Sequence, residues 1–411
     1  MAELISVAEA RAAVLARVGG PLEAEIVPLD EALGRVLAAD AIAPEHVPGF
    51  DNSAMDGFAV LAADTAGAAP GSPRTLRVAG ESRAGGPAER PLEPGEAFRI
   101  STGGVLPYGA DSVIRLEEAV ERDGSIDFDV AVSPGRDIRR AGEDIRAGDT
   151  VLRPGARLGA AELGVLASLG VAEPSCSRRP RLAVVCTGDE LLAADEPMRP
   201  GGVRNSNAHT VPALARRAGA EVVSVERCPD EPSATRDALE RALGADLAVV
   251  CGGVSVGEHD HVKAALAELG AEEAFWGVAL RPGRPTWFGV RGGGPAAGGA
   301  LAFGLPGNPV SAFVTFVLFV RPALLALAGA SEDPDTATAV LATDVTRLPK
   351  RDQAVRCALE LGDDGWRATP TGPQGSHVLT SMLGADALAV LEAGPEPARA
   401  GERVQIQLLR A

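Results

Sequence analysis

The chain has 411 residues, with 39 Lys or Arg against 56 Asp or Glu and a formal net charge of −17. At roughly 100–200 residues per domain this is a multidomain length, and 46% apolar with 23% charged residues is a globular rather than a disordered composition. With 3% aromatics and a single tyrosine, Tyr108, the acidic chain lacks the positive or stacking footprint of a nucleic-acid coat or an anionic-membrane binder.

The N-terminal stretch MAELISVAEARAAVL alternates charge with apolar residues and lacks the basic start and apolar core of a signal peptide. A soluble, cytoplasmic protein is the expectation. Residues 4–40 read as helical: Ser6 is placed to cap a first helix with Glu9 at the capping-box position, and 29–37 continues the pattern. From Pro44 to Ile145 the short β-type runs 58–61, 75–78, 97–100, 112–116 and 126–130 are separated by Gly and Pro, as in a small β-rich module. Helical character returns at 160–168, which is expected to pack back on the N-terminal helices and make the β-rich module an insertion.

Between 180 and 325 the apolar runs 182–186, 221–225, 247–251 and 274–279 alternate with helical stretches at 208–218, 232–243 and 261–269. That is βαβ repetition, hence a mostly parallel sheet with helices on both faces. Residues 291–300, RGGGPAAGGA, read as a flexible surface hairpin leading into a strand at 300–305. The longest apolar run, 312–320, falls short of the roughly 20 residues a membrane span needs and reads as a buried core helix. Pro334 marks a linker, and strands at 339–342, 354–361, 387–391 and 403–409 form a C-terminal β domain. The expected organisation is an α/β multidomain protein. It has a helical N-terminal domain (1–43 plus 146–178), the inserted module (44–145), a central α/β domain (179–330) and the β domain (335–411).

Ligands of open α/β sheets gather outside the carboxyl ends of the strands. Those ends carry Thr187-Gly188-Asp189-Glu190, Cys228-Pro229-Asp230-Glu231, the run GGVSVGEHD over 252–260, Arg281-Pro282-Gly283-Arg284-Pro285 and Pro306-Gly307-Asn308-Pro309. Glycines let backbone N–H groups approach a phosphate, and helix N-termini favour the same charge. Glu190, Asp230 and Asp260 are hard oxygen ligands of the kind Mg²⁺ takes, and Arg281 and Arg284 suit an oxyanion. Each loop alone also reads as an ordinary turn or helix start; their convergence on one rim points to a ligand site. In the β-rich module, 51–58 reads as a loop making polar contacts or as an Asx-turn cluster, 101–111 as an anion-binding turn or a small-residue loop without that role, and Gly142-Glu143-Asp144, beside four arginines, is left open by spacing, with a solvated charge network as the plain reading. The five cysteines include no CxxC pair and read as reduced, buried thiols, and the His259/His261 pair has no third zinc ligand nearby in sequence.

In order, SAMDG (53–57), RISTGG with PYGAD (99–111), GED (142–144), TGDEL (187–191), NSN (205–207), GGVSVGEHD (252–260), RPGRP (281–285) and GLPGNPVS (304–311) closely resemble the MoeA family of molybdenum cofactor biosynthesis. The gephyrin E domain is its animal counterpart. The motifs thin out in the C-terminal β domain. The resemblance implies a molybdopterin molybdenumtransferase, which takes adenylylated molybdopterin and molybdate, releases AMP with Mg²⁺ and inserts the metal. It also implies a central domain of the molybdopterin-binding type and an elongated homodimer of four-domain subunits, with the site shared between subunits.

Carried onto this chain, the resemblance gives Glu190, Asp230 and Asp260 the metal and nucleotide-phosphate end. Asp56, Thr102 and Asp144 arrive as catalytic groups from the second subunit. Thr187, Gly188, Gly252, Gly253 and Ser255 line the substrate loops; Arg281, Arg284, Pro285 and Ser311 hold molybdate; Arg356 and Ser376 supply further oxyanion contacts. Two departures stand out. The family's KPGKP loop here carries two arginines, and Cys186 and Cys251 stand where serines are common. No metal ligand is lost, so activity is expected to persist. The adenylyltransferase that makes the substrate shares the sheet-domain fold but is marked by GGTG. A gephyrin-like scaffold would need a linker or partner-binding tail that does not precede residue 4. That adenylyltransferase and molybdoenzymes or cofactor carriers are the partners this implies; nucleic acid and membrane are not expected.

Overall fold

A computed structural model describes residues 4–254, 261–331, 333, 335–362 and 365–409. It divides into two compact units, one of Met1–Ala39, Pro154–Gly159 and Glu173–Ala411, the other of Asp40–Arg153 and Ala160–Ala172.

The larger unit is organised by a six-stranded sheet in the spatial order Glu221–Cys228, Arg181–Thr187, Leu247–Cys251, Ala300–Leu305, Trp287–Arg291, Ala271–Trp276. The central runs LAVVCT and LAVVC are buried throughout, because helices cover both faces, which is why they read as unbroken apolar stretches. The first four strands are parallel; Trp287–Arg291 is antiparallel to both its neighbours. It returns through the glycine-rich segment, where Arg291 pairs with Ala300 and Gly292, Gly293, Gly294 and Gly298 all hold positive φ. The helices Asn207–Arg217, Pro232–Ala242 and Val262–Glu268 lie where the sequence pattern puts them, while the strand expected at 274–279 is displaced to Ala271–Trp276.

The apolar run opens into one helical rod, Pro309–Leu327, long and apolar enough to cross a membrane but 89% buried within the fold, and so a core helix. Pro322 has no N–H for the carbonyl four residues before it, and the helix widens into a π segment over Phe316–Val320. Arg321, only 7% exposed, donates to Asp333 Oδ2 (3.2 Å), Asp335 Oδ2 (3.0 Å), the Gln407 amide oxygen and the Leu408 carbonyl, tying this helix to the C-terminal strands.

Those strands form a barrel. Asp352–Gly362 pairs with both Gly365–Pro370 and Ala387–Leu391, and the ring closes through Thr336–Leu341 and Arg403–Leu408. Leu280–Arg281 pairs in parallel with Asp352 and Gln353, which carries the RPGRP loop to the barrel's edge.

At the N-terminus the helix Val7–Leu15 starts at a capping box: Ser6 Oγ accepts from Glu9 N–H (3.2 Å), and the Glu9 carboxylate accepts from Ser6 N–H (2.8 Å). Ser6→Ala should lower unfolding free energy by about 1 kcal/mol. An unchanged denaturation midpoint would remove the cap's role. Residues 24–37 depart from the helical expectation. Ala24–Ile26 pairs with Ser175–Ser177, Leu37 bridges Cys176, and only a 3-10 turn forms at Leu29–Glu31. Pro28 and Gly34, at φ 74°, break the helix that the spacing of Ala32, Val36 and Leu37 imitates.

The smaller unit holds a six-stranded sheet in the order Ser112–Arg115, Gly57–Val60, Glu96–Ile100, Arg74–Ser82, Ser125–Phe128, Ala119–Arg122, with Phe58, Ile114, Ile126 and Phe128 in its core. The helix Ala160–Ser168 belongs to this unit rather than to the N-terminal segment, because Leu169 and Val165 pack with Ala43, Val47 and Ile145.

Candidate active site

Chain order sets the position of the main cleft. From Arg181–Thr187 the chain moves to one neighbouring strand, Glu221–Cys228, and then to the other, Leu247–Cys251, so the crossovers diverge and leave a crevice outside Thr187 and Gly252. A cleft of about 480 Å³ opens there, lined by Thr187, Gly188, Glu190, Asn205, Asn207, Asp230, Gly252, Gly253 and Asn308 among others.

Local chemistry explains the glycines. Gly252 sits at φ 100°, and a Cβ there would come within 2.9 Å of Thr187 O and Oγ1. Gly253, at φ 64°, would meet Val262 at 2.6 Å. Gly252→Ala should therefore cost about 1–3 kcal/mol of stability and crowd the crevice; a variant as stable as the parent would contradict that reading. Gly188 makes room for Glu190, whose carboxylate folds to within 2.5 Å of where a Cβ would stand. Gly188 N–H donates to Cys228 O (3.1 Å) and Asp230 N–H donates to Asp189 Oδ1 (3.2 Å). These bonds tie the two loops together and set Glu190 and Asp230 on one cleft.

Among the described residues, two buried polar atoms on the cleft have no partner: Thr187 Oγ1 and Asn207 Oδ1. The Asn207 amide nitrogen is committed to Gly307 O (2.9 Å), which leaves its oxygen as the free acceptor. A buried polar group left unpaired costs about 1–3 kcal/mol, so both favour a polar ligand or hydrated cation. Below them Cys186 and Cys251 lie side by side. A hydrogen bond from Cys251, aided by Asn205, holds the Cys186 thiol below its usual range, and the same bond together with burial pushes Cys251 well up.

A second cleft, of about 410 Å³, shares Asn308 with the first. It is lined by Arg281, Arg284, Pro285, Ser311, Arg351, Ser376 and His377, and among the described residues no carboxylate reaches it. In a chain of net charge −17 this is a place built for an anion. Gly283, at φ 124°, turns the RPGRP loop where a Cβ would strike Thr315 at 2.6 Å, and Thr286 Oγ1 donates to Gly283 O (2.7 Å). Asn308 Nδ2 and Val310 N–H donate to Ser376 Oγ (3.4 Å) and O (3.3 Å), fastening the barrel's 373–377 loop to the core helix.

The remaining expected residues fall elsewhere. Arg356, expected at the oxyanion, is fully buried and does not line the cleft. Its guanidinium donates to Pro373 O (3.2 Å) and Gly375 O (3.4 Å), so it braces the loop that presents Ser376, and burial pulls its pKa below the ordinary arginine range. In the smaller unit the Asp56 carboxylate accepts from Thr102 N–H (2.7 Å), and Asp144 stands at an exposed turn whose N–H donates to Val47 O (3.1 Å). Asp260 and Ser255 lie outside the described residues. Arg351 and His377 join the second cleft without having been singled out in the sequence, and Asn205, Asn207 and Asn308 line the clefts from motifs noted there without a role for each asparagine. The NSN and GLPGNP runs were the available signal for the asparagines.

Three stretches match family models: residues 5–170 the MoeA N-terminal region (domains I and II), 183–326 a probable molybdopterin binding domain, and 338–409 the MoeA C-terminal region (domain IV). The family likeness thus extends through the C-terminal barrel, where the motifs thin out. A molybdopterin molybdenumtransferase of Haemophilus influenzae is 37% identical over 98% of each chain. Molybdopterin molybdenumtransferase 2 of Mycobacterium tuberculosis is 38% identical over 92% of this chain and 94% of its own. A crystal structure of a molybdopterin biosynthesis MoeA protein from Pyrococcus horikoshii superposes with a TM-score of 0.85 at 30% identity, covering 99% of this chain and all of that one. The chain belongs to the MoeA family of molybdopterin molybdenumtransferases, transferases of molybdenum cofactor biosynthesis.

Proposed function

We propose that this chain inserts molybdate into adenylylated molybdopterin in an Mg²⁺-dependent reaction that releases AMP. The observation that carries the reading is the pair of clefts joined at Asn308, one rich in glycine and oxygen donors, the other cationic and free of described carboxylates. Phosphate with a hard cation suits the first; a tetrahedral oxyanion suits the second.

The donor set fits Mg²⁺. Glu190 and Asp230 face the first cleft beside the oxygens of Thr187 and Asn207 that have no partner among the described residues. Among the described residues no three His, Cys, Asp or Glu side chains cluster as a metal cage. Mg²⁺ commonly takes one or two carboxylates, with waters and substrate phosphates completing its shell. When bound, it would neutralise the phosphoanhydride and polarise its phosphorus for attack.

The protein's part is positioning. Gly188, Gly252 and Gly253 let the phosphates approach the backbone, while Thr187 and Asn207 complete their hydrogen bonding on the ligand. Arg281 and Arg284 hold molybdate beside the first cleft with Ser311 and Ser376, and Asn308 keeps the two clefts in register. Asp56, Thr102 and Asp144 complete the site from the second subunit of a homodimer of four-domain subunits. The enzyme works in the cytoplasm, taking its substrate from the adenylyltransferase and passing its product to molybdoenzymes or cofactor carriers.

Loss of a charge-assisted hydrogen bond costs about 1.5–3 kcal/mol. Arg281→Ala should therefore raise the molybdate concentration for half-maximal AMP release by about 10- to 100-fold, with nucleotide affinity nearly unchanged. Equal loss of both would contradict the division between clefts. ATP consumption in place of AMP release would identify an adenylyltransferase, and binding without turnover a scaffold.

A further inference from the structure

Cys186 and Cys251 are register partners on adjacent parallel strands. Neighbouring strands lie about 4.7–4.9 Å apart, inside the roughly 4.4–6.8 Å Cα separation that a disulfide spans. Directly opposed residues project from the same face of a sheet, and both thiols, 1% and 2% exposed, sit in the same core cluster at the bottom of the main cleft. Cys176, Cys228 and Cys357 have no cysteine among their register partners; Cys228, for instance, pairs with Thr187. Cys186 and Cys251 thus meet in space as a dithiol.

We propose that Cys186 and Cys251 form a redox-active vicinal dithiol on the floor of the cleft, closed to a disulfide by exchange with a small-molecule disulfide. In the first step the Cys186 sulfur attacks one sulfur of the reagent, forming a mixed disulfide and expelling one thiolate. That thiolate takes the Cys251 proton; the Cys251 thiolate then attacks Cys186 Sγ, and the second reagent thiolate leaves and takes up, through water, the proton that Cys186 gave up on its attack. Two electrons pass to the reagent, which is reduced to two thiols. The Asn205 amide and the Cys251 S–H both favour negative charge on Cys186, which makes it the attacking sulfur. Each cysteine is followed directly by a loop of the cleft, Thr187-Gly188 or Gly252-Gly253, so the bridge would form between the two walls of the crevice. The proposal does not depend on the reaction assigned above.

The test is to incubate the full-length native protein with oxidised glutathione, alkylate the remaining thiols after denaturation, and map the peptides by mass. The expected product has lost about 2 Da, links the peptides carrying Cys186 and Cys251, and reverts on addition of dithiothreitol. It should form at least about 10-fold faster than any modification of Cys176, Cys228 or Cys357. Cys186→Ser and Cys251→Ser should each abolish the link. If either variant fails to fold, the linked peptide from the parent protein decides alone. Alkylation of all five cysteines with no linked peptide, or glutathione adducts that never resolve to the link, would overturn the proposal and leave the pair as buried apolar thiols.

Discussion

Glu190→Gln is expected to lower molybdate-dependent AMP release by at least about 100-fold while leaving the protein folded. Removing groups that merely orient metal ligands typically costs about 10- to 100-fold, and a ligand itself should cost no less. The substitution keeps the side-chain volume that Gly188 accommodates, and the carboxylate lies on the open cleft rather than in the core, so stability should change little. Activity and thermal midpoint measured on the same preparation separate the two effects. A variant that keeps more than about a third of parental activity at saturating Mg²⁺ would remove Glu190 from the metal site. Asp230→Asn should behave alike, because the Asp230–Asp189 backbone contact holds the two carboxylates on one cleft.

The largest expected loss of stability lies away from the clefts. Arg321→Met should cost about 3–5 kcal/mol, since breaking a buried ion pair leaves a carboxylate without compensation. Asp333 and Asp335 are only 11% and 16% exposed, and Asp333 retains the more distant Arg11 at 3.9 Å, so Asp335 bears most of the loss. Adding Asp335→Asn should recover part of it, which a double-mutant cycle by chemical denaturation would read. A cost below about 1 kcal/mol would mean that the Arg321 network contributes no more than a surface pair.

What the sequence makes legible follows from burial. Strands covered on both faces, Arg181–Thr187 and Leu247–Cys251, must be apolar throughout and announce themselves. Gly365–Pro370 buries only Ala368, and Ala119–Arg122 is mostly exposed, so neither carries an alternation to read. Trp287–Arg291 escapes notice because its partner is fixed by a glycine hairpin rather than by a crossover helix. Residues 24–37 show the opposite failure, a helical spacing of buried positions on a chain broken by Pro28 and Gly34.

The site divides the same way. Glycines and carboxylates after strands signal their work through residue type, so Gly188, Glu190, Asp230 and Gly252 could be named in advance. The contribution of Asn207 depends on which of its two amide atoms the fold leaves unpaired. Arg356 was legible as a cation, but only the fold shows its guanidinium turned inward on the 373–377 loop. The pairing of Cys186 with Cys251 needs the strand register, which spacing along the chain does not contain.

In the proposed reaction the two clefts act together, one holding an adenylylated, metal-bound phosphate and the other molybdate. The most direct measurement is AMP release from adenylylated molybdopterin by the purified protein, with Mg²⁺ present and molybdate added or withheld. The predicted result is AMP released, with active cofactor formed, only when both Mg²⁺ and molybdate are present. AMP release that is indifferent to molybdate, or none when substrate is bound and both ions are supplied, would contradict it.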